Sequence, residues 1–264
     1  MSFPSEFTII GAGRIGQLFA SVQEKTPETQ ITLLRRGERN IAETGPIIIC
    51  TRNDDLQAVV DFVPKDRHPD LIFIQNGMLQ DWLRENELED STQALLYLAV
   101  SKIGDKPVDG YRSRMTGKHA DFLHQLMRKL SLFGQVISRE EFKKEMVEKF
   151  LWNCCFGLLS QYSELSVGHL IDYYYVQGQS HIIEDLILEL LEVCENALGF
   201  VLAESEKQPF IDRLFNYSMS IYDYHGAVKE WKWRNGWLVE QPSHPQGIHH
   251  QLLLETVPEL YSPK

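Results

Sequence analysis

Lys149 and Asn153 stand four residues apart in the stretch EKFLWNC, Glu148 to Cys154. On a helix, residues at that spacing project from one face. An ammonium group beside an amide is the equipment of carbonyl reduction. The lysine can protonate the carbonyl oxygen while hydride arrives at carbon, and the amide can hold the substrate or orient the lysine. The same spacing also allows a plainer reading, in which Lys149 is a surface residue paired with Glu145 one turn earlier.

A hydride donor has its own signature at the other end of the chain. The apolar run Phe7 to Ile10 leads straight into GAGRIG, and Ile15, Leu18, Phe19 and Val22 follow at helical spacing. A glycine-rich turn between a strand and a helix is a dinucleotide fingerprint in its proper setting. Gly11 permits the tight turn, Gly13 lets the backbone approach a pyrophosphate, and Gly16 lets the helix lie close on the strand. With Ala12, Arg14 and Ile15 these glycines form the expected cofactor turn. The first amides of the following helix lack internal partners and favour phosphate.

The second strand signal, Gln30 to Leu34, ends in Arg35 and Arg36. Arg35 lies 19 positions after Gly16, where an acid for the ribose hydroxyls of NAD is usual. An arginine there suits a 2′-phosphate through charge-assisted hydrogen bonds, so NADP(H) is the expected cofactor. Glu38 competes for the ribose role, but it falls beyond the strand. A pair of solvated surface arginines is the alternative.

The elements needed to position these groups are legible along the first half. Pro46 to Cys50, Leu71 to Gln75 and Ala94 to Val100 are short apolar runs, and Leu56 to Phe62 is a helical stretch. Such alternation predicts a largely parallel sheet covered on both faces. From about Arg139 long helical patterns take over, Glu140 to Tyr162 and His181 to Glu204 among them. The expected architecture is α/β: an N-terminal Rossmann-type, doubly wound parallel sheet in residues 1–138, then an all-helical domain in 139–264. The active site is expected between the two.

Composition narrows the function classes. A formal net charge of −11 over 264 residues argues against nucleic acid and anionic membranes as partners. No apolar stretch reaches the length of a membrane span. The opening MSFPSEF lacks the basic start and apolar run of a signal peptide. Cys50, Cys154, Cys155 and Cys194 show no CxxC spacing, so reduced thiols and a cytoplasmic location are expected.

Taken in order, GAGRIG, the arginines after the second strand, IQNGM (Ile74 to Met78), EKFLWNC and SMSIYDYHGAVKEWKWRNG (Ser218 to Gly236) resemble the ketopantoate reductases, the 2-dehydropantoate 2-reductases. The resemblance runs from about Phe7 to Glu240. It implies Lys149 as general acid and Asn76 in contact with cofactor and substrate. It further implies that Asn153 binds substrate, that Ser218 holds the substrate carboxylate, and that Glu230 accepts hydrogen bonds from the substrate. Arg52, in CTRND, stands near the family's basic residue at that turn. Glu230 close to Lys149 would raise the lysine's pKa, whereas burial and positive neighbours would lower it. Gly157 departs from the pattern, standing where a second asparagine is usual; its small size is expected to leave space in the substrate wall.

Other signals read as structure. Tyr217, Ile221 and Tyr224 fall at helical spacing and are expected in a helix core. Trp231, Trp233 and Trp237 interleave with Lys229, Lys232 and Arg234, which suits packing or a dimer surface better than nucleic acid in so acidic a chain. His244, His249 and His250 cluster around two prolines without the rigid spacing of a metal site, and no metal is expected. The leading expectation is an NADPH-dependent reductase of a small 2-oxo acid or related ketone, monomeric or homodimeric. The alternative is a non-catalytic NADP(H)-binding sensor on the same scaffold.

Overall fold

Ile47, Ile48 and Ile49 are wholly buried, as a strand covered on both faces requires. They belong to a seven-stranded sheet in a computed structural model that describes residues 3–261. The chain divides into two compact units, Met1–Glu145 and Met146–Lys264.

In the first unit the order is β1 (Glu6–Ile10), α1 (Arg14–Ala20), β2 (Gln30–Leu34), β3 (Ile47–Ile49), α2 (Leu56–Phe62), β4 (Leu71–Phe73), α3 (Gln80–Glu85), β5 (Thr92–Leu95), β6 (Leu98–Ala99), β7 (Val108–Asp109), β8 (Arg114–Thr116), α4 (Ala120–Lys129) and β9 (Gln135–Val136). The sheet runs β2-β1-β3-β4-β5-β8-β9. The first five strands are parallel, β8 is antiparallel to β5, and β9 runs parallel to β8. Order 2-1-3 places a topological switch point between β1 and β3, where open α/β sheets bind ligands at the carboxyl ends of their strands. Phe7, Ile9, Phe19, Ile48, Ile72, Leu123 and Leu126 form a buried core with α1 and α4 against the sheet.

The β2–β3 crossover carries no helix. Arg67 holds it instead, donating to the carbonyls of Ala42 (2.7 Å), Glu43 (2.6 Å) and Gly45 (2.7 Å). Asp70 orients that guanidinium at 2.8 Å and also takes Lys118 and His119. The expected strand Ala94 to Val100 is in fact two. β5 stops at Leu95, and β6 leaves the main sheet to pair with β7. The turn away is fixed where Tyr97 donates its backbone N–H to Ser113 Oγ.

The long helix α5 (Arg139–Ser163) crosses the division. Its first turns belong with the first unit: Arg139 donates to the carbonyls of Glu89 and Asp90, and Glu145 pairs with Arg112 and Arg114. The second unit continues with α6 (Val167–Val176), α7 (Ser180–Leu198), α8 (Glu204–Ser220), α9 (Asn235–Glu240) and α10 (Ile248–Thr256). The helical pattern expected over His181 to Glu204 breaks at Gly199, whose left-handed backbone (φ +63°) ends α7. Likewise α8 ends at Ser220, so Tyr224 lies outside it and is exposed rather than core.

Candidate active site

In the first unit the three glycines occupy distinct environments. A β-carbon on Gly16 would stand 1.9 Å from the Gly11 carbonyl oxygen, so the helix could not otherwise lie this close to the strand end. Gly11 adopts φ +106°, with the Cys50 backbone 2.9 Å from where its side chain would begin. At Gly13 the same position faces open space, as a backbone approached by a ligand should.

A cleft of about 840 Å³ opens at the carboxyl ends of β1, β2 and β3. Gly11 and Ala12 line it from the first strand, Arg35 and Arg36 from the second, Thr51 and Arg52 from the third. The guanidinium groups of Arg35, Arg36 and Arg52 make no hydrogen bond or ion pair among the described residues. Arg39, a lining residue that sequence spacing did not single out, lies 5.8 Å from the Phe62 ring centre. Thr51 Oγ1 is buried without a partner. Glu38 turns back onto the second strand's end, its carboxylate accepting the Arg35 backbone N–H at 2.7 Å. Arg14 points elsewhere, donating to Val100 O at 3.0 Å. An open backbone at Gly13, three guanidinium groups unpaired among the described residues and an orphan hydroxyl fit a phosphorylated dinucleotide.

The IQNGM turn follows β4. Gln75 is buried and ties it to the third strand, donating to Ile49 O (2.8 Å) and Thr51 O (3.2 Å). Asn53 Nδ2 holds the Asn76 carbonyl at 2.7 Å. The Asn76 backbone is thereby fixed, and its side-chain amide makes no hydrogen bond among the described residues.

In the second unit Lys149 is buried on α5. The surface pairing with Glu145 is overturned, since that carboxylate takes Arg112 and Arg114. Burial, and then the nearby charge of Arg234, lowers the Lys149 ammonium from its usual range to about 7. Glu230 does not offset this, because its carboxylate is bound to Arg234 at 2.6 Å. Asn153 shares the Lys149 face and donates to the Lys149 carbonyl at 2.7 Å.

Two expectations change here. Ser218 is fully buried, donating to Leu214 O (3.0 Å) and accepting from Trp152 Nε1 (2.8 Å). A hydroxyl so engaged is a strut between α5 and α8 and offers no face to a carboxylate. Gly157 leaves no gap either, because the Ala227 carbonyl oxygen lies 2.9 Å from where its β-carbon would be. The residue that sequence reasoning passed over is Arg234, read there only as one of several basic residues among tryptophans. Its place four residues after Glu230 was the available signal. The tryptophans themselves pack: Trp233 and Trp237 are buried, and Trp237 meets Phe150 edge-on at 5.5 Å. Cys154 and Cys155 are core, and burial pushes both thiols up. His249 is buried between Asn235 (3.0 Å) and His244 (2.8 Å), with no metal-binding cluster among the described residues.

No family model matches the chain, and no curated protein matches it in sequence. Solved structures do match. A dimeric ketopantoate reductase from Staphylococcus aureus is 17% identical, with a TM-score of 0.64 over 96% of this chain and 99% of the other. A ketopantoate reductase from Ralstonia eutropha is 15% identical, with a TM-score of 0.64 over 97% and 100%. D-mandelate dehydrogenase, solved with NADH, is 10% identical, with a TM-score of 0.63 over 98% and 100%. This chain has the ketopantoate reductase fold. The likeness is structural, at identities where fold outlives sequence. No described helix is long and apolar enough to cross a membrane.

Proposed function

We propose that this protein is an NADPH-dependent reductase of a small 2-oxo acid or related ketone, giving the 2-hydroxy product with Lys149 as general acid. The observation that carries the reading is the buried ammonium on α5, held near neutrality by burial and by Arg234. A general acid works best with a pKa near the operating pH, and an ordinary lysine is far from it.

NADPH would supply the hydride. Gly11, Ala12, Gly13 and Ile15 would hold its diphosphate, and Arg35, Arg36 and Arg52 its further phosphate, which three unpaired guanidinium groups on one cleft suit. Asn76, backbone-locked by Asn53, has an amide available for cofactor and substrate. Lys149 would give its proton to the carbonyl oxygen, and Asn153 and Glu230 would orient the substrate beside it. The four unbridged cysteines suit a reducing, cytoplasmic setting, and a monomer or homodimer is the expected assembly.

The test is NADPH oxidation by the purified protein with a panel of 2-oxo acids, beside Lys149→Ala and Arg35→Ala. Lys149→Ala should bind NADPH normally and lose roughly 10²- to 10⁴-fold in rate. Arg35→Ala should weaken NADPH by about ten- to a hundredfold and leave NADH nearly untouched. Tight NADPH binding with no turnover of any ketone would mark a nucleotide sensor instead. Equal loss of both cofactors would remove the 2′-phosphate assignment.

A further inference from the structure

We infer that Arg234 is the binding residue for the anionic end of the substrate, the carboxylate of a 2-oxo acid. The inference rests on the reductase reading for the identity of the ligand, and on this cluster alone for the anion. Arg234 is 8% exposed, and its guanidinium has one partner, the Glu230 carboxylate, at 2.6 Å. Its Nε is buried and hydrogen-bonds to nothing. Buried charged donors are almost always satisfied, so an orphan on a guanidinium points to a missing acceptor. A carboxylate is the acceptor that the planar fork of arginine fits best.

The neighbouring groups leave Arg234 as the anion-binding residue of this cluster. Arg234 is the charge that bears on the Lys149 ammonium, and Glu230 is its own ion-pair partner. The adjacent Glu148 pairs with Arg213 at 2.7 Å. Ser218, the residue otherwise expected to hold the substrate carboxylate, is occupied by Trp152 and Leu214.

The guanidinium is also positioned in advance. Glu230 adopts a left-handed backbone (φ +49°), and the short turn that follows is closed where Trp233 and Arg234 donate to the carbonyls of Glu230 and Trp231. The next residue, Asn235, is buried and fixed by His249 at 3.0 Å and Cys154 O at 3.3 Å. A fixed arginine with its buried Nε unpartnered, whose charge already bears on the Lys149 ammonium, would hold a 2-oxo acid by its carboxylate and leave its keto oxygen for Lys149.

The experiment is calorimetric titration of the full chain with oxamate, an unreactive 2-oxo acid mimic, and with its neutral ethyl ester, with and without NADP⁺. Wild type should prefer oxamate by at least about tenfold, the worth of one charge-assisted pair. Arg234→Gln should abolish that preference and leave NADPH affinity within about twofold, and Arg234→Lys should restore part of it. Should Arg234→Gln misfold, the Glu230→Gln, Arg234→Gln double variant removes the pair together and should show the same loss. Failure of wild type to prefer oxamate, or a preference that survives Arg234→Gln, would overturn the inference. Absence of turnover on every ketone would overturn the reductase reading while leaving an Arg234-dependent oxamate preference standing.

Discussion

The carbonyl oxygen of Ala227 lies 2.9 Å from the position a β-carbon on Gly157 would occupy. Gly226 closes the contact from the other side, the Gly157 α-carbon standing 3.0 Å from its own missing β-carbon. The segment after α8 thus lies backbone against α5, fastened where Gly226 and Val228 donate to Ser160 Oγ and Gln161 Oε1. Putting asparagine at 157 would push this segment away. Gly157→Asn should cost about 1–3 kcal/mol of stability, read by urea denaturation, and should leave substrate size preference unchanged.

The pH profile follows from Lys149. With the ammonium lowered to about 7, kcat/KM for carbonyl reduction should be level below that pH and fall tenfold per unit above it. Stability should move the other way. An unfolded lysine keeps its proton to about 10.5, so between 7 and 10.5 the unfolded chain binds more protons and stability rises with pH. Lys149→Met should flatten that rise in denaturation curves taken across pH 7 to 10, and should be no less stable than wild type near pH 7.

Ser218→Ala separates a strut from a ligand. Removing the hydroxyl leaves the Trp152 indole N–H buried without its acceptor, which should cost about 1–3 kcal/mol. KM for a 2-oxo acid should change less than twofold. A tenfold rise in KM at unchanged stability would restore the carboxylate-binding role.

The Arg67 tether should matter to the nucleotide cleft. Arg67→Ala frees three carbonyls of the β2–β3 crossover and leaves Asp70 to Lys118 and His119, at a cost of about 3 kcal/mol. NADPH affinity should fall too, since Arg36 and Arg39 sit on that crossover. Burial alone would raise the Asp70 carboxyl, but hydrogen bonds from Lys118, Arg67 and His119 hold it at about 2. Its contribution to stability is complete above about pH 4 and is lost as pH falls through 2, which acid titration of wild type against Asp70→Asn should show.

Much of this was legible in the chain, for identifiable reasons. The strand Gln30–Leu34 and the helix Leu56–Phe62 have the bounds their apolar periodicity predicts. Gly11 and Gly16 each carry the steric signature of close backbone packing that the motif implies. What periodicity could not convey was the fate of side chains decided at a distance. Whether Ser218 faces a substrate or an indole depends on Trp152, 66 residues away. Whether Gly157 is a hole depends on where Ala227 comes to rest. β8 and β9, two or three residues long, are too short to carry a period at all. The Lys149 pKa was open on sequence because its decisive neighbour, Arg234, binds the carboxylate that would have opposed it.

A crossover with no helix of its own has few obligations to the sheet beneath it. Its main chain is held by one distant arginine gripping carbonyls and by Thr8 and Glu6 taking the N–H groups of Ala42 and Thr44, and main-chain groups are the same whatever side chains they carry. Substitution is consequently inexpensive at the exposed positions Arg35, Arg36 and Arg39, though not at Gly45, where a β-carbon would meet the Glu6 carbonyl oxygen. Related chains could exchange one coenzyme for another by rewriting these exposed positions, leaving the strands, their register and the reaction chemistry as they were.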